Sequence, residues 1–267
     1  RQVDERARLL APHNRQDLPA CQHLRIKVDR KALPPEIEVQ RLDRGGLSRD
    51  ARIVHQHIAA AKIGKRLIEP CVGLGRIGEV EMVTLTSRDP GPPPYDYITR
   101  SGGIFRDMMI HDFDVARWLL GEEPVSVQAA ASVLTDPKIG ELGDFDSANV
   151  ILTTASGKQC TITNTRRATY GYDQRIEVHG SEGAVRAENH REANIEIATA
   201  EGYRRPPLLN FFMTRYVEAY ANEIAAFAQA LADGTPMPTT GQDGLKALEL
   251  AEAALQSVAT GQAVTPG

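Results

Sequence analysis

An aspartate and a histidine four residues apart, Asp107 and His111, lie in a segment whose apolar residues recur at helical spacing, so the pair shares one helix face. A carboxylate beside an imidazole suits removal of a proton from a hydroxyl, because the carboxylate orients the ring and raises its basicity. Asp114, seven residues beyond Asp107, extends the same polar edge. From spacing alone the plainer reading is a surface Asp–His pair on an exposed helix. A metal site is a third reading. Asp107, His111 and Asp114 could supply two or three ligands, but no further His or Cys lies nearby in sequence to complete a set.

The element that must carry these residues spans 105–120 (FRDMMIHDFDVARWLL). Phe105, Met109, Phe113, Ala116 and Leu120 form its core stripe, the Asp107–His111 face points away from that stripe, and Gly121 ends it. Upstream, Glu79–Ser87 (EVEMVTLTS) alternates and is rich in β-branched residues, so it reads as a strand, and the Pro-Gly-rich Asp89–Pro94 reads as a loop. Further strands are expected near Val125–Val133, Ala148–Thr154, Gln159–Thr165, Arg175–His179, Ala184–Glu188 and Ile195–Ala198, with hairpin turns at Ser156-Gly157 and Ser181–Gly183. Two helices, about Phe211–Ala232 and Gly244–Thr260, follow on either side of Gly234-Thr235-Pro236. Consecutive strands joined by short turns and flanked by helices mean an α+β domain with a mostly antiparallel open sheet.

Composition is that of an ordinary globular chain, with 42% hydrophobic and 25% charged residues and a net charge of −4. That balance argues against a dedicated nucleic-acid binder. No apolar run approaches the roughly 18 residues of a membrane span, and the first residues lack the apolar core of a signal peptide. Cys21, Cys71 and Cys160 are odd in number and widely spaced, forming neither a zinc pattern nor a disulfide framework. A reducing cytoplasm and incidental thiols are the expectation.

The chain is not uniform. Residues 1–78 carry 16 Lys+Arg against 9 Asp+Glu, and all 14 aromatics lie after Gly78. Aromatic side chains supply much of a core's burial, so the first 78 residues form a separate, basic, aromatic-free region beside a domain at 79–267. A small helical extension, a disordered basic arm and a stretch read in the wrong frame are its three readings. Gly73-Leu74-Gly75-Arg76-Ile77-Gly78 matches a dinucleotide fingerprint letter for letter. The glycines matter only if a helix opens at the last of them, because the helix N-terminus holds the pyrophosphate. A strand candidate follows instead, and the ribose-binding acid would fall near Tyr95–Tyr97, in an expected loop. The expectation is a turn leading into the first strand.

Three stretches carry a resemblance: Arg76–Asp114, with SRDP and GGIFRDMMIHD; Arg166–Gly180, RRATYGYDQRIEVHG; and the tail from Gly202, GYRRPPLLNFFMTRYVEAYANEIAAF. Together they resemble the C-terminal domain of the Gfo/Idh/MocA oxidoreductases, in the inositol 2-dehydrogenase branch. The resemblance implies a sheet with helices on one face, NAD as cofactor, and an inositol or related polyol as substrate. It also implies inositol catabolism as the setting and homotetramers formed through the sheet face. His111 would take the proton of a ring hydroxyl, Asp107 would bind ring hydroxyls and tune His111, and Asp89 and Tyr172 would line the polyol pocket. From the residues alone Tyr172 suits a structural role in a turn, and Arg166 and Arg167 suit solvated charges at a strand end equally well. The family's catalytic lysine stands in a Glu-Lys-Pro motif, where this chain offers Ile68-Glu69-Pro70. With no cofactor-binding residue assigned, the expectation is a truncated, weakly active or inactive enzyme. A non-catalytic polyol-binding or oligomerisation module is the alternative.

Overall fold

The structure, a computed structural model, describes residues 76–267. The readings made of residues 1–75, including those of Cys21, Cys71, Gly73, Gly75 and Ile68–Pro70, lie outside the described residues.

Strands β1 (Val80–Arg88), β2 (Pro124–Ser132), β3 (Ser147–Thr154), β4 (Gln159–Thr165), β5 (Asp173–Gly180) and β6 (Gly183–Ala187) form a six-stranded sheet in the order β2-β3-β4-β1-β5-β6. Only the β1–β4 pair within it is parallel. The mostly antiparallel α+β expectation is met. Alternation along each strand produces transverse rows on the inner face. One row runs Val127–Leu152–Cys160–Val83–Val178, all buried. The next runs Val150–Ile162–Leu85–Ile176. The third, Ala148–Asn164–Ser87–Gln174, turns polar. A separate short hairpin pairs β7 (Ile197–Thr199) with β8 (Gly202–Arg204).

Two long helices cover the inner face. Helix α2 (Met109–Leu120) packs on β1 and β4, and α6 (Gly241–Thr260) packs on β2 and α2. The expected stripe of Phe105, Met109, Phe113, Ala116 and Leu120 is buried to 1% exposure or less. Gly121 closes α2 in the left-handed region, its N–H donating to Arg117 O at 3.1 Å. A capping box of Thr240 and Asp243 starts α6 three residues earlier than expected.

The single helix expected from residue 105 is in fact two pieces. Ile104–Met108 forms a π-turn, and only then does α2 begin. Gly102 and Gly103, at φ +90° and +85°, bring the chain in, and Ile104 N donates to Asp144 Oδ1 at 2.9 Å. The wider turn resets the helical phase, so Asp114 does not continue the Asp107 edge. It is fully buried against Arg117, whose Nη1 stands 3.1 Å from Asp114 Oδ1. Helix α1 (Tyr95–Ser101) replaces the loop expected at Tyr95–Tyr97, and α3 (Pro137–Glu141), capped by Asp136, was also missed. The helix expected over Phe211–Ala232 breaks at Tyr216 into α4 (Phe212–Arg215) and α5 (Val217–Asp233).

Gly78 leads directly into β1, as the sequence suggested. It has φ +74°, and a Cβ there would stand 2.2 Å from Ser181 Oγ, so the glycine answers to the β5–β6 turn packed against it. Phe113 is wholly buried between helix and sheet. Phe113→Ala is expected to cost about 3–5 kcal/mol, read from urea unfolding; a loss under about 1 kcal/mol would contradict this core.

Candidate functional site

The polar third row of the sheet positions the site. Ser87 of β1 is register-paired with Asn164 of β4 on one side and Gln174 of β5 on the other. Above them lies Asp112, in the first turn of α2. Its Oδ1 accepts from Ser87 Oγ at 2.6 Å and its Oδ2 from Asn164 Nδ2 at 2.9 Å. Burial pushes the Asp112 carboxyl up to about 6, against the pull of those two donors.

Beyond this row the strands end in charged residues. Asp89 follows β1, pinned to the end of β4 by Asp89 N donating to Thr165 O at 3.0 Å and Ala168 N to Asp89 O at 2.7 Å. Burial raises the Asp89 carboxyl to about 6; Arg166 works to lower it, and the neighbouring Asp107 and Asp112 charges add to the rise. Arg166, just past β4, is 1% exposed. The solvated-charge reading therefore does not hold for Arg166. Its Nη2 lies 3.1 Å from Asp144 Oδ2 and 3.7 Å from Asp107 Oδ2. Arg167 is exposed, its Nη1 donating to Thr135 O at 3.3 Å.

Asp107 sits in the π-turn, half-buried, its Oδ1 accepting from Tyr97 Oη at 2.6 Å. Burial raises its carboxyl, opposed by Tyr97 and Arg166. His111 lies four residues on, half-buried in the first turn of α2. Tyr172 precedes β5, where Gly171 at φ +121° carries the chain beneath Leu208; a Cβ on Gly171 would come within 2.8 Å of the Leu208 side chain. The Tyr172 ring meets Tyr216 edge to face, with centroids 6.1 Å apart. Burial pushes its hydroxyl well up, and the charges of Tyr216, Asp89 and Asp112 add to this. Asp89, Asp107, Asp112, Arg166, Tyr172 and Tyr216 therefore share one electrostatic neighbourhood.

Of the residues singled out from sequence, Asp89, Asp107 and Tyr172 fall in this neighbourhood, and His111 lies between Asp107 and Asp112 in the chain. Asp114 does not join them, and no group of three or more metal-ligand side chains occurs among the described residues. Cys160 is buried in the apolar first row, where burial pushes its thiol up and makes it inert. Sequence reasoning missed Tyr97, Asp112 and Asp144. The one available signal, for Asp112, was the set of aspartates at 107, 112 and 114 in a segment whose other buried residues, Arg117 apart, are apolar.

The arrangement can accept hydroxyl protons at several carboxylates while a buried guanidinium offsets their mutual repulsion. Residues 67–186 match the model of the GFO/IDH/MocA C-terminal domain. Over 185 residues the chain is 70% identical to an inositol 2-dehydrogenase of Rhizobium meliloti (strain 1021), covering 69% of this chain and 56% of that protein. A myo-inositol 2-dehydrogenase of Thermotoga maritima is 47% identical over 191 residues, 72% of this chain and 57% of that one. Among solved structures, the myo-inositol dehydrogenase of Corynebacterium glutamicum ATCC 13032 superposes with a TM-score of 0.73 at 39% identity, covering 80% of this chain and 63% of that one. The chain thus spans somewhat over half the length of the relatives it matches.

The buried acids set a pH profile. Asp89 and Asp112 hold their protons more tightly folded than at the ordinary value of 3.8, so their contribution to stability is complete below that value and is lost as pH rises to about 6. Asp146 and Asp173 run the other way. Burial works to raise both, but three backbone N–H groups on Asp146, and Arg175, Tyr170 and Asn189 on Asp173, outweigh it and hold each at about 2. Their contribution is lost as pH falls from 3.8 toward 2. Urea unfolding midpoints are expected to peak near pH 4 and decline toward pH 6, with Asp112→Asn flattening the decline. An unaltered decline in that variant would remove Asp112 from the explanation.

Proposed function

Because this chain belongs, through residues 67–186, to the GFO/IDH/MocA family, we propose that residues 76–267 form the polyol-binding half of an NAD-dependent inositol 2-dehydrogenase. The observation that carries this reading is the setting of Asp107, held between the Tyr97 hydroxyl and the buried Arg166 guanidinium and one turn ahead of His111. The names of the relatives supply the substrate class: inositol 2-dehydrogenase and myo-inositol 2-dehydrogenase.

An inositol presents a ring of hydroxyls, each a donor and an acceptor. Asp107 and Asp89 accept from ring hydroxyls, and Tyr172 closes the pocket beside them. Oxidation of a ring CH–OH to a ketone releases the hydroxyl proton, and His111 takes it, oriented by Asp107. The family implies NAD as the oxidant, which accepts the hydride when bound. Gly78 opens a strand and not a helix, so the described residues do not fit the pyrophosphate of that cofactor. The chemistry assigned to them is accordingly confined to binding the polyol and moving its proton.

A second reading, a polyol-binding or self-associating module, is favoured by the outer sheet face, where Met82, Val125 and Ile151 stand 44–49% exposed. In that reading copies assemble through the sheet, and the two readings are compatible in one protein.

Calorimetric titration with myo-inositol is expected to show binding that Asp107→Asn weakens about 10–100-fold, as loss of a hydrogen bond to a charged group implies, with little change in unfolding midpoint. Absence of binding to the unaltered chain would remove the polyol reading. With a nucleotide-binding half supplied in trans, His111→Ala is expected to lower turnover about 100-fold or more while leaving stability nearly intact; equal losses in both would make His111 structural.

A further inference from the structure

Asp112 is the buried acid to which the reaction assigns no role. It is 8% exposed, one residue beyond His111, and both of its oxygens are held. The donors, Ser87 and Asn164, are register partners on the only parallel strand pair of the six-stranded sheet. Ser87 Oγ also stands 2.9 Å from Oε1 of Gln174, its partner on the other side. Two adjacent strands therefore meet one carboxylate at the start of α2, and the third reaches it only through Ser87. The helix cannot slide or rotate there without breaking buried polar contacts.

We propose that Asp112 is the positioning residue for His111: clamped by Ser87 and Asn164, it fixes the first turn of α2 over the sheet and sets a carboxylate next in the chain to the residue that carries the imidazole. The proposal rests on the reading of His111 as proton acceptor. The titratable groups coupled to Asp112 are Asp89 beyond β1, Cys160 on β4, and Tyr172 and Tyr216 beside β5. Helix α6 faces α2 with Glu252 and Asp243, which pair with Arg106 and Arg117. Asp107 lies in the preceding π-turn.

Asp112→Asn separates the charge from the clamp. A carboxamide still accepts from Asn164 Nδ2 and can donate to Ser87 Oγ, whose single proton then goes to Gln174 Oε1. The fold and the hydrogen-bonded row survive; the charge does not. The test is an NMR titration of the His111 ring in the full chain, with and without myo-inositol, for the unaltered protein, Asp112→Asn and Ser87→Ala. The expected result is a His111 midpoint lowered by about half a pH unit or more in Asp112→Asn, about a threefold loss of proton affinity, with weaker myo-inositol binding and an unfolding midpoint at pH 7 no lower than that of the unaltered protein. Ser87→Ala removes one donor and is expected to lower the midpoint in the same direction by less. A folded Asp112→Asn with an unmoved His111 midpoint overturns the proposal. If that variant does not fold, an unmoved midpoint in Ser87→Ala overturns it instead. A His111 ring that ignores myo-inositol in the unaltered chain sinks the polyol reading, while the midpoints of the variants still decide the role of Asp112.

Discussion

A carboxylate buried between a helix and a sheet must find donors on both of its oxygens or be expelled. In this protein that demand is met by Ser87 and Asn164, supplied at one level by the parallel β1–β4 pair. The two rows beneath are apolar, and bury the stripe of α2 by the hydrophobic effect alone. Such packing tolerates small slips. The third row does not, because a shift of one residue along β1 would put Thr86 or Arg88 where Ser87 stands and turn its side chain to the other face. The register of the sheet and the placement of His111 are therefore one constraint.

Above the clamp, the site is organised by a single buried cation among several acids. Arg166 is paired with Asp144 and lies within 3.7 Å of Asp107. Asp144 in turn accepts from Ile104 N at the start of the π-turn. The residue that balances the Asp107 charge is thus tied to the backbone that carries Asp107. Gly103 belongs to the same joint, since a Cβ there would stand 2.7 Å from Asp144 Oδ1 at a φ of +85°. On the same site Tyr97 donates to Asp107, and the half-buried rings of Tyr172 and Tyr216 meet edge to face.

Much of this was legible in the sequence where local pattern decides the outcome. Gln159–Thr165 was read to its observed bounds, the other main-sheet strands to within about two residues, and the core stripe of α2 residue by residue. The pair Asp107 and His111 came from spacing, and Asp89 and Tyr172 from the resemblance of SRDP and YGYD. What stayed hidden depends on distance along the chain. Asp112 meets Ser87 across 25 residues and Asn164 across 52, and Arg166 meets Asp144 across 22, so only the folded register brings them together. Asp114 was misplaced because the π-turn breaks the regular phase that the spacing argument assumed. Tyr97 was assigned to a loop because the Pro-Gly run before it concealed a two-turn helix.

The central claim is that Asp107 and His111 face one polyol across a site whose floor is the Ser87–Asp112–Asn164 clamp. A crystal structure of the full chain soaked in myo-inositol tests it most directly. The ring is expected beside α2, with separate hydroxyls at hydrogen-bond distance, about 2.6–3.2 Å, from Asp107 and from His111. A ring bound elsewhere, for example on the outer sheet face near Met82 and Ile151, or one touching neither residue, would contradict it.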